Sequence, residues 1–357
     1  MNGKQSAPPS NHHFDSQWPR AHPAQLTGKI KTCPDDFQVT ELSAFSPSGH
    51  GEHLWLWVEK QQANTEWAAR QLARVCGVAA RQVGYAGLKD RQAITRQWFS
   101  VQLPRQTTIS AINTDLPVEI RVLKAAWHNK KLRRGYVQGN RFVVTLRHVH
   151  GQQAAVDAVL ADIRQHGFPN YFGVQRFGHD FGNLHRAMAA FTARRLPRSA
   201  HQRGLLLSAA RAYLFNTALA VRLQQGQWNL PLEGDIAQLD GSRSHFVVTA
   251  ESIASGEAAR RLADGDIHLT GPLWGRGPSP AHGAAAQWES CALKNLDEWK
   301  NGLERAGLKQ ERRALRCLPK NMQWTWRQGA HDRQLVLRFD LPAGSYATEL
   351  LAELGGC

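Results

Sequence analysis

Acid is scarce in this sequence. Asp and Glu number 29 against 44 Lys and Arg in 357 residues, a formal net charge of +15 with a pI near 10.1. That balance favours a polyanionic partner: nucleic acid, or less often an anionic membrane surface. Cysteine is scarcer still. The five (Cys33, Cys76, Cys291, Cys317 and Cys357) are scattered, odd in number and never in a CxxC pair. This argues against a disulfide framework and against a zinc site. Long apolar runs are missing too. The first 25 residues have no continuous apolar stretch of the kind a signal peptide needs, and no run approaches the ~20 residues of a membrane-spanning helix. His12 and His13 form a lone pair in a polar tail and read as solvated. A cytoplasmic protein is the simple reading.

Several chemical signatures are also absent. There is no GxxxxGK[ST] loop, no GxGxxG opening a helix after a strand, no HExxH, no HxE with PCxxC, and no GxSxG elbow. Each carries a specific chemistry: phosphate cradling, dinucleotide binding, zinc-activated water or an activated serine. What remains is an enzyme that works without cofactor or metal, or no enzyme.

What is present is enough for two domains or one interrupted domain, with 42% apolar residues. Residues 1–27 read as a mobile leader. "GKIKTCPDDFQVTEL" (28–42) reads as strand, Pro-Asp turn and strand, with Phe37 and Val39 on one face. "HLWLWVEK" (53–60) alternates as a strand. Asn64 and Thr65 offer an N-cap to a helix with Ala68, Leu72, Val75 and Cys76 on one face. "RQWFSVQL" (96–103) and "GNRFVVTLRHV" (139–149) alternate as strands. So does "RQLVLRFDLPAG" (333–344), with Leu335, Leu337, Phe339 and Leu341 on one face. Between the last two the pattern changes. Residues 153–164, 205–224 and 288–316 are helical in period, 241–250 hold a short strand, and 271–286 are a Gly/Pro/Ala-rich loop. Strands, a helical middle and a returning strand predict an α+β sheet domain interrupted by an insertion. The expected segments are 28–165 and 316–357 for the interrupted domain and 166–315 for the insertion.

The positive charge is clustered. Residues 121–141 hold Arg121, Lys124, Lys130, Lys131, Arg133, Arg134 and Arg141, and residues 186–211 hold Arg186, Arg194, Arg195, Arg198, Arg203 and Arg211, with no acid in either run. Trp127, Tyr136, Phe191 and Tyr213 are interleaved. Guanidinium groups pair with phosphates and flat side chains stack on exposed bases. A solvated basic face is the bland alternative. With no helix-turn-helix and no zinc finger, RNA is favoured over duplex DNA.

One acid stands out. In "GYAGLKDRQAITRQWFSV" (84–101) Asp90 follows Gly84, Ala86 and Gly87 and lies between Lys89 and Arg91. Small residues permit tight turns and close approach of a flat ligand. A carboxylate between cations stays ionised, which suits a nucleophile or base. Spacing alone leaves it open whether Asp90 merely bonds its own turn.

That segment resembles the signature of the TruD family of tRNA pseudouridine synthases, G-x-A-G-x-K-D-x-x-A-x-T-x-Q. Four further stretches resemble family blocks in the same order: "KTCPDDFQVTEL" (31–42), "LRRGYVQGNRFVVTLR" (132–147), "PNYFGVQRFG" (169–178) and "LPAGSYATELL" (341–351). Together they span about 320 residues. The resemblance implies an α+β pseudouridine synthase catalytic fold with a mixed, mostly antiparallel sheet and an inserted α/β domain. It implies isomerisation of uridine to pseudouridine at position 13 of tRNA, with no cofactor, by a monomer that uses no membrane.

Residue by residue, the family's catalytic aspartate falls on Asp90. Phe37 and Phe142 are implied to pack on or near a flipped base, Asn140 to contact its edge, Lys31 to hold Asp90 ionised, and Tyr346 to line the site. Lys89 flanks the nucleophile. Gln175 and Arg176 are assigned to tRNA binding or domain packing. The implied tRNA path runs between the two domains, along both basic runs. Two other readings stay open: a non-catalytic RNA-binding or RNA-chaperone protein on the same fold, and an anionic-membrane binder.

Overall fold

The computed structural model describes residue 14 and residues 18–43, 45–103, 108–133, 135–329 and 332–356. His12, His13 and Arg134 lie outside the described residues. In chain order the strands are β1 (Leu26–Lys29), β2 (Phe37–Ser43), β3 (His53–Gln61), β4 (Val83–Tyr85), β5 (Ile94–Gln102), β6 (Ile120–His128), β7 (Val137–Gly151), β8 (Phe168–Pro169), β9 (Ile236–Leu239), β10 (His245–Val247), β11 (Ile267–Leu273), β12 (Glu311–Ala314), β13 (Arg316–Cys317), β14 (Lys320–Gln328), β15 (Arg333–Pro342) and β16 (Gly355–Gly356). The chain divides into two compact units. One comprises residues 22–167 with 317–357, the other residues 1–21 with 168–316.

The first unit is built on a ten-stranded sheet of order β14-β15-β7-β2-β5-β3-β6, with β1 and β16 paired beside β7 and β4 beside β5. The β2–β5 and β1–β16 pairs are parallel; the others are antiparallel. The alternation expected for 333–344 is realised: Leu335, Leu337, Phe339 and Leu341 are all buried, and β15 pairs along β7 from Leu335↔Leu146 to Pro342↔Gly139. The downstream strand thus returns to the sheet begun by the N-terminal strands. The helix Thr65–Val75 starts at Asn64, whose Oδ1 accepts from the Trp67 N–H at 2.7 Å, and buries Ala68 and Leu72. These join Leu56, Phe99 and Val122 in one apolar cluster. Truncating a side chain as buried as Leu56 or Leu72 to Ala costs about 2–5 kcal/mol.

The second unit has a four-stranded antiparallel sheet, β10-β9-β11-β12, and a core gathered around the 25-residue helix Ala200–Gln224. By length and composition this helix is apolar enough to cross a membrane, contrary to the expectation that no such run exists. Ala209, Ala212, Phe215, Ala218 and Leu219 are nevertheless fully buried among Phe191, Trp288 and Leu303, as in a core helix.

Two further expectations are corrected. The leader does not extend to residue 27: Phe14 is buried in the second unit's core, and Leu26 and Thr27 already pair with Gly151 and His150. An aromatic and a leucine spaced far apart in a polar tail have no periodicity to reveal them. The helical stretch 288–316 is two helices, Gly283–Ala292 and Asp297–Arg305, followed by β12. The charged run "KQERRALR" masks that strand. Within the basic run 121–141, residues 120–128 form β6, an edge strand of the large sheet, where charge also discourages strand addition.

Candidate active site

The residues around Asp90 come together within the first unit. Asp90 sits in the connection between β4 and β5. Its Oδ1 accepts the Gln92 backbone N–H at 3.0 Å, the ordinary behaviour of an aspartate closing its own turn. Its other oxygen departs from that pattern, because Oδ2 accepts a hydrogen bond from the Lys31 ammonium. Burial alone would raise the Asp90 pKa. The Lys31 hydrogen bond and charge, the Gln92 N–H and the Lys60 charge outweigh it and hold the carboxyl below the ordinary range. The side chain remains 37% exposed. It is thus ionised, oriented and reachable.

Two devices place Lys31. Its own backbone is left-handed, at φ 56°, an uncommon state for a residue with a side chain. The turn after it is anchored by Asp36, whose carboxylate accepts the Cys33 N–H at 3.0 Å and the Arg147 Nε at 2.8 Å. The Lys31 Nζ also lies 4.6 Å from the centre of the Phe37 ring, a cation–π contact.

Asp90 is held from behind by Lys60. This lysine is fully buried on β3, and its Nζ donates to the Ala63 carbonyl at 2.7 Å and to the Asp90 carbonyl at 3.0 Å. Burial lowers its pKa to about 8, against the pull of Asp90. Lys89 turns inward. Its backbone N–H donates to Thr65 Oγ1 at 2.9 Å, and its Nζ donates to Asn140 Oδ1 at 2.6 Å and lies 3.5 Å from Glu41 Oε2. Glu41 is buried, and burial raises its pKa although Lys89 opposes this.

Asn140 and Phe142 alternate on one face of β7. The Phe37 and Phe142 rings meet edge to face at 6.1 Å, and Phe142 stacks on Phe339 at 5.5 Å. Phe37 and Phe142 are only 4% and 7% exposed, so they form an apolar floor with little free ring face. Tyr346 stands at the start of the helix Ala347–Ala352, after the β15 residue Pro342 that pairs with Gly139. Its backbone therefore follows the strand end beside Asn140. A pocket of about 450 Å³, lined by Lys31, Thr32, Cys33, Pro34, Gln62, Arg91 and Gln92, opens beside this group.

The small residues before Asp90 do different work. A Cβ on Gly84 would lie 2.5 Å from the Leu132 carbonyl oxygen, so its smallness serves chain packing rather than ligand access. A Cβ on Gly87 would meet nothing within 4 Å, so this glycine faces open space. Glu41, Lys60 and Phe339 join the site without being expected there. Glu41 closes the "PDDFQVTE" block, and Phe339 is legible as a strand-face residue only. Nothing in the sequence reveals Lys60, because its reach to Asp90 depends on pairing of distant strands.

The second unit holds the other basic run, residues 186–211. A pocket of about 410 Å³ is lined by Arg186, Arg195 and Arg198 with Leu196, Pro197 and Leu205 among its apolar neighbours. Arg195 and Arg198 form no ion pair among the described residues. Arg176 donates to Ser208 Oγ at 3.0 Å and lies over the Phe172 ring, so it packs inside its unit, while Gln175 is exposed.

An accessible, ionised aspartate, linked through Lys31 to an aromatic cluster, is the equipment of an enzyme with a carboxylate nucleophile or base, here in a strongly basic chain. The comparisons narrow that class. The family model for tRNA pseudouridine synthase D (TruD) matches residues 21–200 and 192–354. The chain is 45% identical to tRNA pseudouridine synthase D of Hydrogenovibrio crunogenus, covering 92% of each sequence. It is 47% identical to that of Xanthomonas campestris pv. campestris, covering 94% of each. A TruD crystal structure from Methanosarcina mazei superposes with a TM-score of 0.72 at 23% identity, over 94% of this chain and 95% of the other. The chain belongs to the TruD family.

Proposed function

We propose that the protein is a tRNA pseudouridine synthase that converts uridine to pseudouridine, at position 13 of tRNA, in the cytoplasm and as a monomer. The relatives named for this reaction support the activity. The observation that carries the residue assignment is the half-open Asp90 carboxylate fixed by Lys31 and the Gln92 N–H.

The reaction moves one bond. Asp90 attacks the ribose C1′, and the C1′–N1 electron pair leaves with uracil. The freed base rotates. C5 then attacks C1′ and expels the Asp90 carboxylate; a proton leaves C5 and one is taken up at N1. Leaving group and acceptor are the same base, so the steps call for no added oxidant, water or cofactor. Lys31 keeps Asp90 anionic for attack and stabilises it when it leaves. Lys60 fixes the backbone behind it, which holds the nucleophile in its attacking position. Phe37, Phe142 and Tyr346 supply an apolar wall for a base taken out of its stack. The unpaired arginines of the second unit bind tRNA phosphates.

The test is to map pseudouridines in total tRNA from cells with and without the protein. Loss of a single pseudouridine at position 13, restored by the wild-type chain alone, is expected. An unchanged map would refute the reading.

A further inference from the structure

Asn140 has one face committed and one face open. Its Oδ1 accepts from the Lys89 Nζ at 2.6 Å, and among the described residues its Nδ2 has no protein partner. The partner's chemistry fixes which way the amide points. An ammonium has three donors and no acceptor, so it can face only the carbonyl end of an amide. Lys89 is itself held: its side chain is 6% exposed, Glu41 Oε2 lies 3.5 Å from its Nζ, and Thr65 bonds its backbone. The order Glu41–Lys89–Asn140 therefore leaves two N–H donors on Asn140, which shares a face of β7 with Phe142, two residues on, and bonds Asp90's neighbour Lys89.

We infer that Lys89 is a positioning residue that orients Asn140 as a dedicated hydrogen-bond donor to a uracil carbonyl, and that this donor serves both ends of the isomerisation while rejecting cytosine. The inference rests on the synthase reading given above. Its second half follows from the symmetry of uracil. Rotating the base by half a turn about its N3–C6 axis exchanges N1 with C5 and O2 with O4. A donor placed at one carbonyl therefore meets the other carbonyl after rotation. The Asn140 amide can hold the base before N1 departs and again when C5 faces C1′, with no rearrangement of the protein. Cytosine offers one carbonyl and one amine at those two positions. A donor would confront a donor at one end, and an unmatched polar pair in a closed site is strongly disfavoured. An amide free to flip would offer an acceptor as readily and would lose this discrimination.

Asn140→Asp tests the direction of the bond. Aspartate is nearly isosteric and can keep Lys89 as its partner, but its carboxylate only accepts. Turnover of an unmodified tRNA transcript, read as release of tritium from C5, should fall roughly tenfold or more, as for loss of at least one hydrogen bond. Affinity measured by filter binding should stay close to wild type. Wild-type turnover in Asn140→Asp would overturn the donor assignment.

Lys89 is tested in a cycle. Lys89→Met should lower kcat with KM little changed, and Lys89→Arg should restore much of the loss. In an Asn140→Ala background, Lys89→Met should add nothing further, because it acts through the amide. Independent, additive losses would refute the positioning role. Glu41→Gln combined with Lys89→Met removes the buried unpaired carboxylate; if that double variant regains full turnover, the single variant's defect was structural and the inference fails. Asp90→Asn serves as the control for the underlying reading. If it remains active, the assignment of Asp90 as nucleophile falls; if it is inactive while Asn140→Asp is unimpaired, only the donor inference falls.

Discussion

Each unit contains a basic–acidic pair, and the two are built to opposite ends. In the second unit Arg222 and Asp235 are both fully buried, joined by two bonds of 2.7 and 2.6 Å. The guanidinium also donates to the carbonyls of Gln227 and Leu230 and lies 4.6 Å over the Trp288 ring, while the Leu232 N–H donates to Asp235. The pair is enclosed and multiply bonded. In the first unit Lys31 and Asp90 share one ammonium contact, with side chains 22% and 37% exposed. Asp90 keeps lone pairs open to the outside. Both pairs look alike as an acid and a base in contact. Solvent access and unspent lone pairs separate a strut from what the proposed function makes a reagent.

The largest expected effects follow from exchanging these roles. Asp90→Asn should reduce pseudouridine formation by at least about 1000-fold, as for loss of a nucleophile. Melting temperature and tRNA affinity should be nearly unchanged. A variant retaining substantial turnover would sink the assignment of Asp90 as the nucleophile. Asp235→Ala should do the reverse. It strands a buried guanidinium and should cost about 3–5 kcal/mol in denaturant unfolding, with the rate per folded molecule unaffected. If Asp235→Ala unfolds at the wild-type denaturant midpoint, the pair is not a strut.

How much of this contrast the sequence carries depends on distance along the chain. Asp90, Lys31, Phe37, Asn140 and Phe142 are nameable because each lies in a block with a family pattern, and the structure gathers them. The strand faces of β7 and β15 are legible from strict alternation, which survives without any knowledge of partners. Lys60 is not legible. It sits in "WVEKQQ" like any surface lysine, and only the β3–β5 pairing brings its ammonium to the Asp90 carbonyl. The Arg222–Asp235 strut is hidden similarly, since an arginine in a helical period reads as solvated. Gly84 misleads for a related reason: its close neighbour, Leu132, is far away in sequence.

An intermediate effect tests how the open pair is tuned. In the wild type, Asp90's lowered pKa means its ionised form is stabilised, and this contribution persists above the ordinary carboxylate range and is lost only as pH falls through the depressed value. Between about pH 5 and 8 Asp90 should impose no acid limb on kcat/KM. Lys31→Met leaves burial opposed only by Gln92 and Lys60, so the carboxyl pKa rises. Turnover near neutral pH should fall roughly tenfold to a hundredfold, and a new acid limb should appear in the kcat/KM profile. A flat profile for Lys31→Met would show that Lys31 does not keep Asp90 ionised.

The smallest effect applies the same distinction to the basic surface. Arg211 belongs to the acid-free run 186–211, but its guanidinium is spent on Glu311 at 2.8 Å and on the Trp274 and Leu273 carbonyls at 3.0 Å. Arg141 in the other run is likewise spent on Asp340, at 2.7 and 2.8 Å. Arg195 and Arg198 line an open pocket with no ion pair among the described residues. Only unspent cations can release counterions from RNA. Replacing Arg195 and Arg198 together by Ala should weaken tRNA binding about three- to tenfold and lower the slope of log affinity against log salt by about 1–2, one unit or slightly less per phosphate contact. Arg211→Ala should instead lower the melting temperature and leave the salt slope alone. If the slope responds to Arg211 and ignores Arg195 and Arg198, the run contacts RNA through a different surface, and clustering of charge in sequence is a poor guide to which arginines are available.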